Sequence, residues 1–345
     1  MLNVYERDDY IMNKVTIKDV AREAGVSIST VSNALNGTGS LSEETKEMVL
    51  DVANRLNYIP NINGRGLKTG SSRMIGFYTI SVNGAYFYEL VDSMYNECEK
   101  RGFGLNIMVT HDINLIAGHA LSGRVDGVII YQESNNIDKV IDVLKANDIC
   151  TVFLDREIED KHIGSVVFDS YQCGKEATEY LIEKGHKRIG YIDGVDDNYD
   201  CFLRARGYKD TLKENNLEYN AEWTIKGDYK EETAYANMKQ YLDNGGELPD
   251  AFFACNDLSA IGVIRALNEH GYNVPEDISV IGIDDIKIAK YIEPGISTIK
   301  NQISGQGTCS VEKLFDLIDG EKGEIIKLPG SLVIRNSVKD ASNKN

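Results

Sequence analysis

The sequence predicts an N-terminal all-α module followed by a larger α/β body of two doubly wound, parallel-sheet lobes. Three short helical patterns follow one another closely between residues 12 and 58. A glycine-rich, polar and basic segment separates them from the rest of the chain. Beyond it, apolar strands alternate with amphipathic helices, which is the pattern of parallel sheets covered on both faces. The number of strands in this long segment favours two similar lobes over a single sheet.

The composition is typical of a soluble globular protein, with 42% hydrophobic and 26% charged residues. Six cysteines are scattered, without a C-x-x-C pair or a histidine at finger spacing, so free and mostly buried thiols are expected. No metal or cofactor is predicted. No apolar run is long enough to span a membrane, and the N-terminus lacks the features of a signal peptide, which predicts a cytoplasmic location.

The net charge of −17 is unevenly distributed along the chain. Residues 12–73 contain eight Lys and Arg residues and six Asp and Glu residues, so a mildly basic module precedes a strongly acidic body. Because the local surface governs nucleic-acid binding more than the total charge does, the acidity of the chain does not exclude a DNA-binding module.

Capping residues indicate where the three N-terminal helices begin. Thr16 precedes I-K-D-V-A-R-E-A and Gly25 follows it, which predicts a first helix that ends at a glycine turn. Ser27 is placed to cap a second helix over S-I-S-T-V-S-N-A-L-N, and Ser42 a third over S-E-E-T-K-E-M-V-L-D-V-A-N-R-L-N-Y. Pro60 stops helical continuation.

The body shows strands and helices in alternation. Strands are predicted at residues 74–80, 104–109, 126–131, 150–155, 188–193, 251–256 and 279–284. Amphipathic helices are predicted at about 84–101, 136–147, 170–185, 202–215, 230–243 and 258–270.

The first two helices have the features of a helix-turn-helix unit, which an ordinary helical hairpin does not need. Ala21 and Ala24 are small enough for the helices to cross closely, and a glycine turn follows them. The outer face of the second helix carries short polar side chains. Hydroxyls at a helix N-terminus suit phosphate oxygens without demanding positive charge.

The run V-T-I-K-D-V-A-R-E-A-G-V-S-I-S-T-V-S-N-A-L-N-G at residues 15–37 resembles the DNA-binding headpiece of the LacI/GalR family of bacterial transcription regulators. The resemblance continues through L-S-E-E-T-K-E-M-V-L-D-V-A-N-R-L-N-Y-I-P-N at residues 41–61. It implies that the second helix reads DNA in the major groove. The family's base-reading positions fall on Ile28, Ser29 and Asn33. Its phosphate or turn contacts fall on Thr16, Ser27, Thr30, Ser32 and Asn36.

Asn33 departs from the family pattern. Many members carry arginine here, and an arginine could bind guanine O6 and N7. Asparagine instead matches adenine N6 and N7, so the sequence predicts a contact that reads an A·T pair. The expected discrimination against the wrong base is about 1–3 kcal/mol.

The segment N-G-R-G-L-K-T-G at residues 63–70, taken by itself, is a flexible basic linker. It resembles the family hinge, which forms a short helix on DNA and presses a leucine pair into the minor groove. Asn61, Arg65 and Leu67 match the hinge pattern and are the implied minor-groove residues, whereas Gly64 replaces the usual alanine. Because glycine costs about 1 kcal/mol of helix stability relative to alanine, a weaker and more DNA-dependent hinge helix is expected.

Segments such as R-V-D-G-V-I-I-Y, G-H-K-R-I-G-Y-I-D-G and V-I-G-I-D-D resemble the periplasmic-binding-protein-like fold with which this family holds small ligands. Polar groups at the carboxyl ends of its strands are expected to converge on a cleft between the lobes. The implied effector-binding residues are Tyr86, Phe87, Tyr131, Asp155, Arg204, Tyr229, Asn256 and Asp284. Because the family most often holds sugars, the resemblance implies a sugar as the effector, and carboxylates, an amide and an arginine suit its hydroxyl groups. A purine or nucleoside, or a protein co-regulator, is the alternative.

The resulting domain organisation has four parts. A disordered extension occupies residues 1–11, with Met12 as a candidate start. The helix-turn-helix domain covers 12–58, the hinge linker 59–72 and the effector-binding domain 73–345. The first lobe is expected at about 73–168 and 302–330, and the second at about 169–301 and 331–340.

The predicted function is that of a sequence-specific DNA-binding regulator, a repressor under allosteric control. Its partners are a pseudo-palindromic double-stranded DNA operator, a small-molecule effector and a second copy of the chain, with no membrane. An enzyme built on the body is the main alternative in another class. The chain lacks a phosphate-binding glycine motif between a strand and a helix, and the adjacent Asp284 and Asp285 are expected to point opposite ways. A secreted solute-binding protein is disfavoured by the N-terminal module and the missing signal peptide.

Overall fold

The structure, a computed structural model, describes residues 15–59, 71–132, 137–196 and 198–342. The chain divides into two compact units, Met1–Ser72 and Arg73–Asn345, which are described separately below. The predicted extension at residues 1–11, the candidate start Met12 and the predicted hinge residues Asn61, Arg65 and Leu67 lie outside the described residues.

Three helices make up the described part of the N-terminal unit: α1 (Ile17–Ala24), α2 (Ile28–Asn36) and α3 (Glu43–Arg55). The side chains of Ser27 and Ser42 accept hydrogen bonds from backbone N–H groups of the first turns of α2 and α3. Gly25, with φ of 67°, ends α1 in the left-handed conformation that glycine adopts without steric cost. This glycine turns the chain from α1 into α2.

The apolar stripes of the three helices meet in a small core. Val20, Val31 and Val49, one from each helix, are completely buried. Ala34 and Ala53 pack among them. Because these residues occupy the inner side of each helix, the opposite face of α2 is left for contact with a partner.

The body contains alternating strands and helices with two short 3₁₀ helices at Ala221–Trp223 and Lys287–Lys290. In chain order its elements are β1 (Met74–Thr79), α4 (Ala85–Lys100), β2 (Gly104–Val109), α5 (Ile113–Ala120), β3 (Gly127–Tyr131), α6 (Ile137–Ala146), β4 (Thr151–Phe153), β5 (Ile163–Phe168), α7 (Ser170–Glu183), β6 (Ile189–Asp193), α8 (Tyr199–Glu214), β7 (Thr224–Lys226), α9 (Glu231–Asp243), β8 (Ala251–Ala254), α10 (Asp257–Glu269), β9 (Ser279–Ile283), β10 (Ser297–Lys300), α11 (Ile303–Ile318), β11 (Ile325–Leu328) and β12 (Ser331–Val333).

The described strands form two six-stranded sheets, one in each lobe. The strand order is β11-β5-β4-β3-β1-β2 in the first lobe and β12-β10-β9-β8-β6-β7 in the second. All neighbours are parallel except β12, which runs antiparallel to β10 at one edge. The predicted fold class, an all-α module with two doubly wound lobes, is therefore confirmed, with one antiparallel edge strand added.

The chain passes between the lobes three times: from β5 to α7, from β10 to α11, and from β11 to β12. Buried apolar side chains fill the space between each sheet and its helices. The carboxyl ends of several parallel strands of both sheets meet at the cleft between the lobes, where ligands of open α/β sheets bind.

None of the helices in the described ranges combines the length and the apolar character needed to cross a bilayer. The six cysteines are free thiols, and Cys98, Cys173, Cys201 and Cys255 are buried. In the same part of the chain, no cluster of three or more His, Cys, Asp or Glu side chains is arranged to hold a metal ion.

Candidate DNA-binding surface and ligand cleft

The exposed face of α2 is the candidate DNA-contacting surface. Ile28, 45% exposed, and Ser29 lie in the first turn of the helix. Ser27 Oγ accepts a hydrogen bond from Thr30 N at 3.1 Å and lies 2.7 Å from Ser29 Oγ. The structure thus groups four of the predicted DNA-contacting side chains around a helix N-terminus, a place that favours phosphate oxygens.

Asn33 lies one turn beyond Ser29 on α2 and is half-buried. Its Oδ1 accepts a hydrogen bond from Thr38 Oγ1 at 3.5 Å, and its backbone oxygen accepts one from Thr38 N at 3.0 Å. The turn after α2 therefore orients the asparagine. Because the side-chain bond is long, and hence weak, the amide is available for a base edge.

The other three predicted phosphate contacts are already hydrogen-bonded within the unit. Thr16 Oγ1 donates to Asp19 Oδ2 at 2.7 Å in the cap of α1. Asn36 Nδ2 donates to Ser32 O at 2.7 Å and lies 3.4 Å from Ser32 Oγ. Thr16 is exposed, whereas Ser32 and Asn36 are half-buried toward the C-terminal half of α2. A contact from Thr16 or Asn36 to DNA has to share or replace these bonds.

The cleft between the lobes of the body encloses about 140 Å³. Its first-lobe wall is mainly aromatic, and its second-lobe wall carries the charged groups. Of the predicted effector-binding residues, those that line the cleft are Tyr86, Phe87, Tyr131, Arg204, Tyr229, Asn256 and Asp284. Asp155 does not line it.

Arg204, on α8, brings a buried positive charge to the cleft and is only 3% exposed. Its Nη1 donates to the backbone oxygen of Cys255 at 2.6 Å, and its Nη2 lies 3.7 Å from Asp284 Oδ1. Its guanidinium carbon lies 5.8 Å from the centre of the Tyr229 ring. Its Nε is buried and has no hydrogen-bond partner among the described residues. An unpaired buried donor of this kind costs about 1–3 kcal/mol.

Asp284 and Asp285 form a strained turn after β9. Both have left-handed backbone angles, with φ of 113° and 57°, at a cost of about 1–3 kcal/mol each. Asp284 Oδ1 accepts a hydrogen bond from Asn301 Nδ2 at 2.9 Å, whereas Asp285 Oδ1 accepts one from Arg335 Nη2 at 2.5 Å. Burial raises the pKa of Asp284 to about 6 against the opposing effect of the Arg204 charge.

The aromatic wall is built from α4 and the end of β3. The ring of Tyr86 lies 5.0 Å from that of Phe87 and 5.9 Å from that of Tyr131, centre to centre. Tyr86 OH donates to Gln306 Oε1 at 2.8 Å, which ties this wall to α11. Such rings can stack on the face of a sugar or a base.

Tyr229 and Asn256 are joined by a hydrogen bond on the second-lobe side of the cleft. Tyr229 OH donates to Asn198 Oδ1 at 3.0 Å, and its φ of 60° is left-handed. Asn256 caps α10 by accepting from Ser259 N at 2.9 Å, and its Nδ2 donates to Tyr229 O at 3.2 Å. The amide of Asn256 therefore shapes this wall through both of its polar atoms.

Asp155 follows β4 and is 3% exposed. Its Oδ2 accepts from Arg156 Nη2 at 2.7 Å, while its Oδ1 is buried without a hydrogen-bond partner among the described residues. Burial raises its pKa to about 6. Together with burial, the negative charges of Asp200, Asp284 and Asp155 raise the pKa of Tyr86, so Asp155 acts electrostatically on the cleft wall.

Two regions of the chain match known families. Residues 16–61 match the bacterial regulatory proteins of the lacI family, and residues 178–338 match the periplasmic binding protein-like domain. Over 330 residues the chain is 34% identical to the HTH-type transcriptional repressor PurR of Pasteurella multocida (strain Pm70), covering 94% of this chain and 98% of that protein. The chain belongs to the LacI family. This family is one of transcriptional regulators.

Solved structures of LacI-family proteins share the fold. The lac repressor dimer bound to operator and the anti-inducer ONPF superposes with a TM-score of 0.81 at 29% identity, covering 94% of this chain and 99% of that one. The complex of the transcriptional regulator CelR with cellobiose superposes with a TM-score of 0.71 at 26% identity and the same coverage. Both similarities extend over the headpiece and the two-lobed body.

Some residues that line the cleft were not predicted from the LacI-family resemblance. Asp200, Phe168, Leu258 and Ile286 also line it. Asp200 lies four residues before Arg204 on the same helix, and this spacing, which puts two side chains on one helix face, was the available signal. Phe168 ends β5, a strand that the sequence pattern did not predict. Leu258 and Ile286 lie two positions beyond Asn256 and Asp284, at the strand ends already identified.

Proposed function

We propose that this LacI-family protein is a transcriptional repressor whose affinity for a pseudo-palindromic DNA operator is controlled by a small ligand bound in the cleft. The observation that carries the proposal is the buried guanidinium of Arg204, which lines a cleft together with two carboxylates in a chain that also has an exposed α2 face. A charged side chain at a cleft favours a ligand with complementary hydrogen-bonding groups, and an exposed helix face with hydroxyls favours DNA. The protein acts in the cytoplasm, where its operator is.

On DNA, Ile28, Ser29 and Asn33 are the proposed base-reading residues. Thr16, Ser27, Thr30, Ser32 and Asn36 are the proposed phosphate contacts. The exposed position of Ile28 and the group of hydroxyls around the start of α2 support these roles. Asn61, Arg65 and Leu67 remain the proposed minor-groove residues of the hinge.

A sugar is the proposed ligand. Arg204 and Asp284 provide a donor and an acceptor for hydroxyl groups, and Tyr86, Phe87 and Tyr131 provide rings for a sugar face. The cleft volume of about 140 Å³ is below the 300–1,000 Å³ typical of drug-sized ligands, which favours a ligand of monosaccharide size. CelR, a structural relative, was solved with cellobiose.

The proposed unit of function is a homodimer. Val82, Tyr88, Tyr95, Ile107 and Val109 are 40–77% exposed on one side of the first lobe, where β2 ends the sheet. Contiguous exposed apolar surface of this kind, together with an open sheet edge, is typical of an interface. A second copy that covers it gives the assembly two α2 helices, one for each half of an operator. The lac repressor was solved as a dimer on its operator.

The cleft is proposed to bind its ligand without converting it. Asp284 and Asp285 are adjacent carboxylates, but Asn301 and Arg335 engage them separately, which is poor geometry for a shared acid–base role. Control of DNA binding needs only that the ligand prefer one arrangement of the lobes. Such coupling is typically about 1–3 kcal/mol and is reciprocal between ligand and DNA.

The test combines two measurements on the full chain. An operator is first selected from randomised palindromic DNA, and a panel of monosaccharides, disaccharides and nucleosides is screened by thermal shift. The operator dissociation constant is then measured with and without each compound that stabilises the protein. We expect a change of about 5- to 150-fold, the range that typical coupling free energies produce.

Arg204→Met is the matched variant, because it removes the guanidinium while keeping a long side chain. It should abolish the thermal shift and the ligand's effect on DNA while leaving operator binding in the absence of ligand near the wild-type value. If no operator is selected, or if Arg204→Met responds to the ligand as the wild type does, the proposed function is wrong.

A further inference from the structure

We infer that Asp200 makes the cleft selective for an uncharged, hydroxyl-bearing ligand and excludes anionic compounds such as sugar acids and sugar phosphates. The inference rests on the proposed function, because it names the chemical class of the ligand bound by the same cleft. It concerns a residue that the sequence pattern did not single out.

The position of Asp200 places its charge against the ligand. It lies in the first turn of α8, four residues before Arg204, and both side chains line the cleft. It is 8% exposed, and one of its carboxylate oxygens, Oδ1, accepts a hydrogen bond from Ser170 Oγ at 2.6 Å. That bond fixes the carboxylate.

The charges that line the cleft do not cancel. Among the described residues that line it, the charged side chains are Asp200, Arg204 and Asp284. Asp155, outside the lining, is paired with Arg156 at 2.7 Å. The ligand therefore meets two carboxylates and one guanidinium, an excess of one negative charge carried by largely buried side chains. Like charges brought together in such a site repel strongly, so an anion is disfavoured.

The hydrogen-bonding groups of the cleft require a ligand that both donates and accepts. A ligand must accept hydrogen bonds from the guanidinium of Arg204, whereas the carboxylates of Asp200 and Asp284 need donors. A hydroxyl group supplies both, and two neighbouring hydroxyls on a ring can satisfy the arginine and a carboxylate together. A carboxylate or phosphate group only accepts, so it satisfies Arg204 and leaves the acidic side chains facing another anion.

The test compares neutral sugars with the acids derived from them. Glucose and glucuronate, and galactose and galacturonate, are titrated at neutral pH by calorimetry into wild type, Asp200→Asn and Asp210→Asn. Asp210→Asn is the matched control, because Asp210 lies on α8 and does not line the cleft. Wild type should bind a neutral sugar at least about tenfold more tightly than its acid, since the acid adds a like charge.

In Asp200→Asn the ratio of the affinity for the neutral sugar to that for its acid should fall by about tenfold or more, mainly through tighter binding of the acid. Asp210→Asn should keep the wild-type ratio. Tighter binding of the acid than of its parent sugar by wild type overturns the inference. So does an unchanged ratio in Asp200→Asn. Either result leaves the repressor role intact if operator binding still responds to the ligand.

A second measurement needs no ligand. It tests separately whether the negative charge of Asp200 acts on other groups in the cleft. Burial raises the pKa of Asp284 to about 6, and the charge of Asp200 adds to the increase. Carboxyl NMR titration should therefore give a lower pKa for Asp284 in Asp200→Asn than in wild type or Asp210→Asn. If the pKa of Asp284 is the same in all three, the charge of Asp200 does not act in the cleft and the inference is wrong, whether or not the panel contains a ligand.

Discussion

At the scale of single residues, Arg204 and Asn33 differ in how their hydrogen-bonding capacity is used. Arg204 lines the cleft, where its guanidinium can donate hydrogen bonds to a ligand. Asn33 already accepts a bond from Thr38, but that bond is 3.5 Å long and easily exchanged. Each side chain is therefore positioned by its own unit and keeps a group for a partner.

Asn33→Arg should move the base preference at one operator position from A·T toward G·C. Asparagine can donate to and accept from adenine, whereas arginine can donate two hydrogen bonds to guanine. The expected change in preference is about 1–3 kcal/mol. It is measured by competition among operators that carry each base pair at that position.

Asn54→Arg is the control for this prediction, because it adds the same charge on the exposed side of α3. It should tighten binding to all operators alike through phosphate contacts and leave the preference unchanged. An Asn33→Arg variant with the wild-type base preference contradicts the base-reading role of Asn33.

Asp284 provides a prediction about pH. Its pKa is raised from 3.8 to about 6 by burial, so the folded state holds the proton more tightly than the unfolded state. The corresponding stability is fully present below pH 3.8 and is lost as the pH rises through about 6. Asp284→Asn removes the titrating group, and its unfolding free energy relative to wild type should increase over this interval by up to about 3 kcal/mol.

Urea unfolding of both proteins between pH 4 and pH 7 measures this difference. Asp155, whose pKa is raised in the same direction, is present in both proteins, so its contribution cancels. A free-energy difference that stays constant or decreases with pH contradicts the assignment of the raised pKa to Asp284.

At the scale of elements, the start of α10 holds the strained turn that carries Asp284. Asp257 is completely buried; its Oδ1 accepts from Thr298 Oγ1 at 2.7 Å and its Oδ2 from Ile286 N at 2.9 Å. One side chain thus joins α10 to β10 and to the residues after β9. Left-handed residues persist only where their surroundings hold them, and these hydrogen bonds help do so.

Gly282→Ala should disturb this arrangement. A Cβ atom at Gly282 would lie 2.2 Å from Asp257 Oδ1, and the carboxylate cannot move without breaking its hydrogen bonds. We expect a loss of about 1–3 kcal/mol in the free energy of unfolding, because inserting an atom into a packed interior forces strain. Ligand affinity should fall as well, since the turn carries Asp284 and Ile286.

Gly118→Ala is the matched control. Gly118 lies within α5, and no atom lies within 4 Å of the position of its added Cβ. Alanine there should stabilise the protein by up to about 1 kcal/mol, because it favours the helix. Chemical denaturation of both variants decides the prediction, which is wrong if Gly282→Ala is as stable as wild type.

At the scale of the whole molecule, hydrogen bonds near the passages between lobes connect the cleft to α4. Asn301, after β10, donates to Asp284, and two residues of α11 bond α4: Ser304 Oγ donates to Glu89 Oε1 at 2.6 Å, and Gln306 accepts from Tyr86. Helix α4 also carries Tyr88 and Tyr95 of the apolar surface proposed to bind a second copy. The ligand cleft and the proposed dimer surface therefore share one helix.

Val109→Asp should convert the protein to a monomer. Val109 is 51% exposed on the edge strand β2, and a carboxylate there would be buried without a partner in the dimer. Light scattering coupled to size-exclusion chromatography measures the mass, and operator titration should show a large loss of affinity, since one headpiece then binds alone.

Tyr272→Asp is the control, because Tyr272 is 39% exposed on a loop of the second lobe. It should remain dimeric and bind the operator as wild type does. A Val109→Asp protein that keeps the wild-type mass rules out this surface as the dimer interface.

Local signals in the sequence determined the helices of the headpiece and most of the body's alternating elements. Capping serines, a turn glycine and apolar periodicity act over a few residues, so they can be recognised without the fold. Several missed elements were short or weakly patterned: β7 and β12 have three residues each, and α11 begins with I-S-G-Q-G. The six-residue strand β5 was missed as well. Their formation depends on pairing and packing with distant parts of the chain.

The sequence by itself therefore determined the class of fold, the family resemblance and the strand ends at which cleft residues were sought. Only the tertiary structure decided which of them face the cleft. Asp155 ends a predicted strand, but its side chain is hydrogen-bonded to Arg156 and does not line the cleft. Asp200, on a helix, lines the cleft together with Arg204. The reason is physical: the direction of a side chain and the sum of charges around a site depend on contacts between segments far apart in sequence.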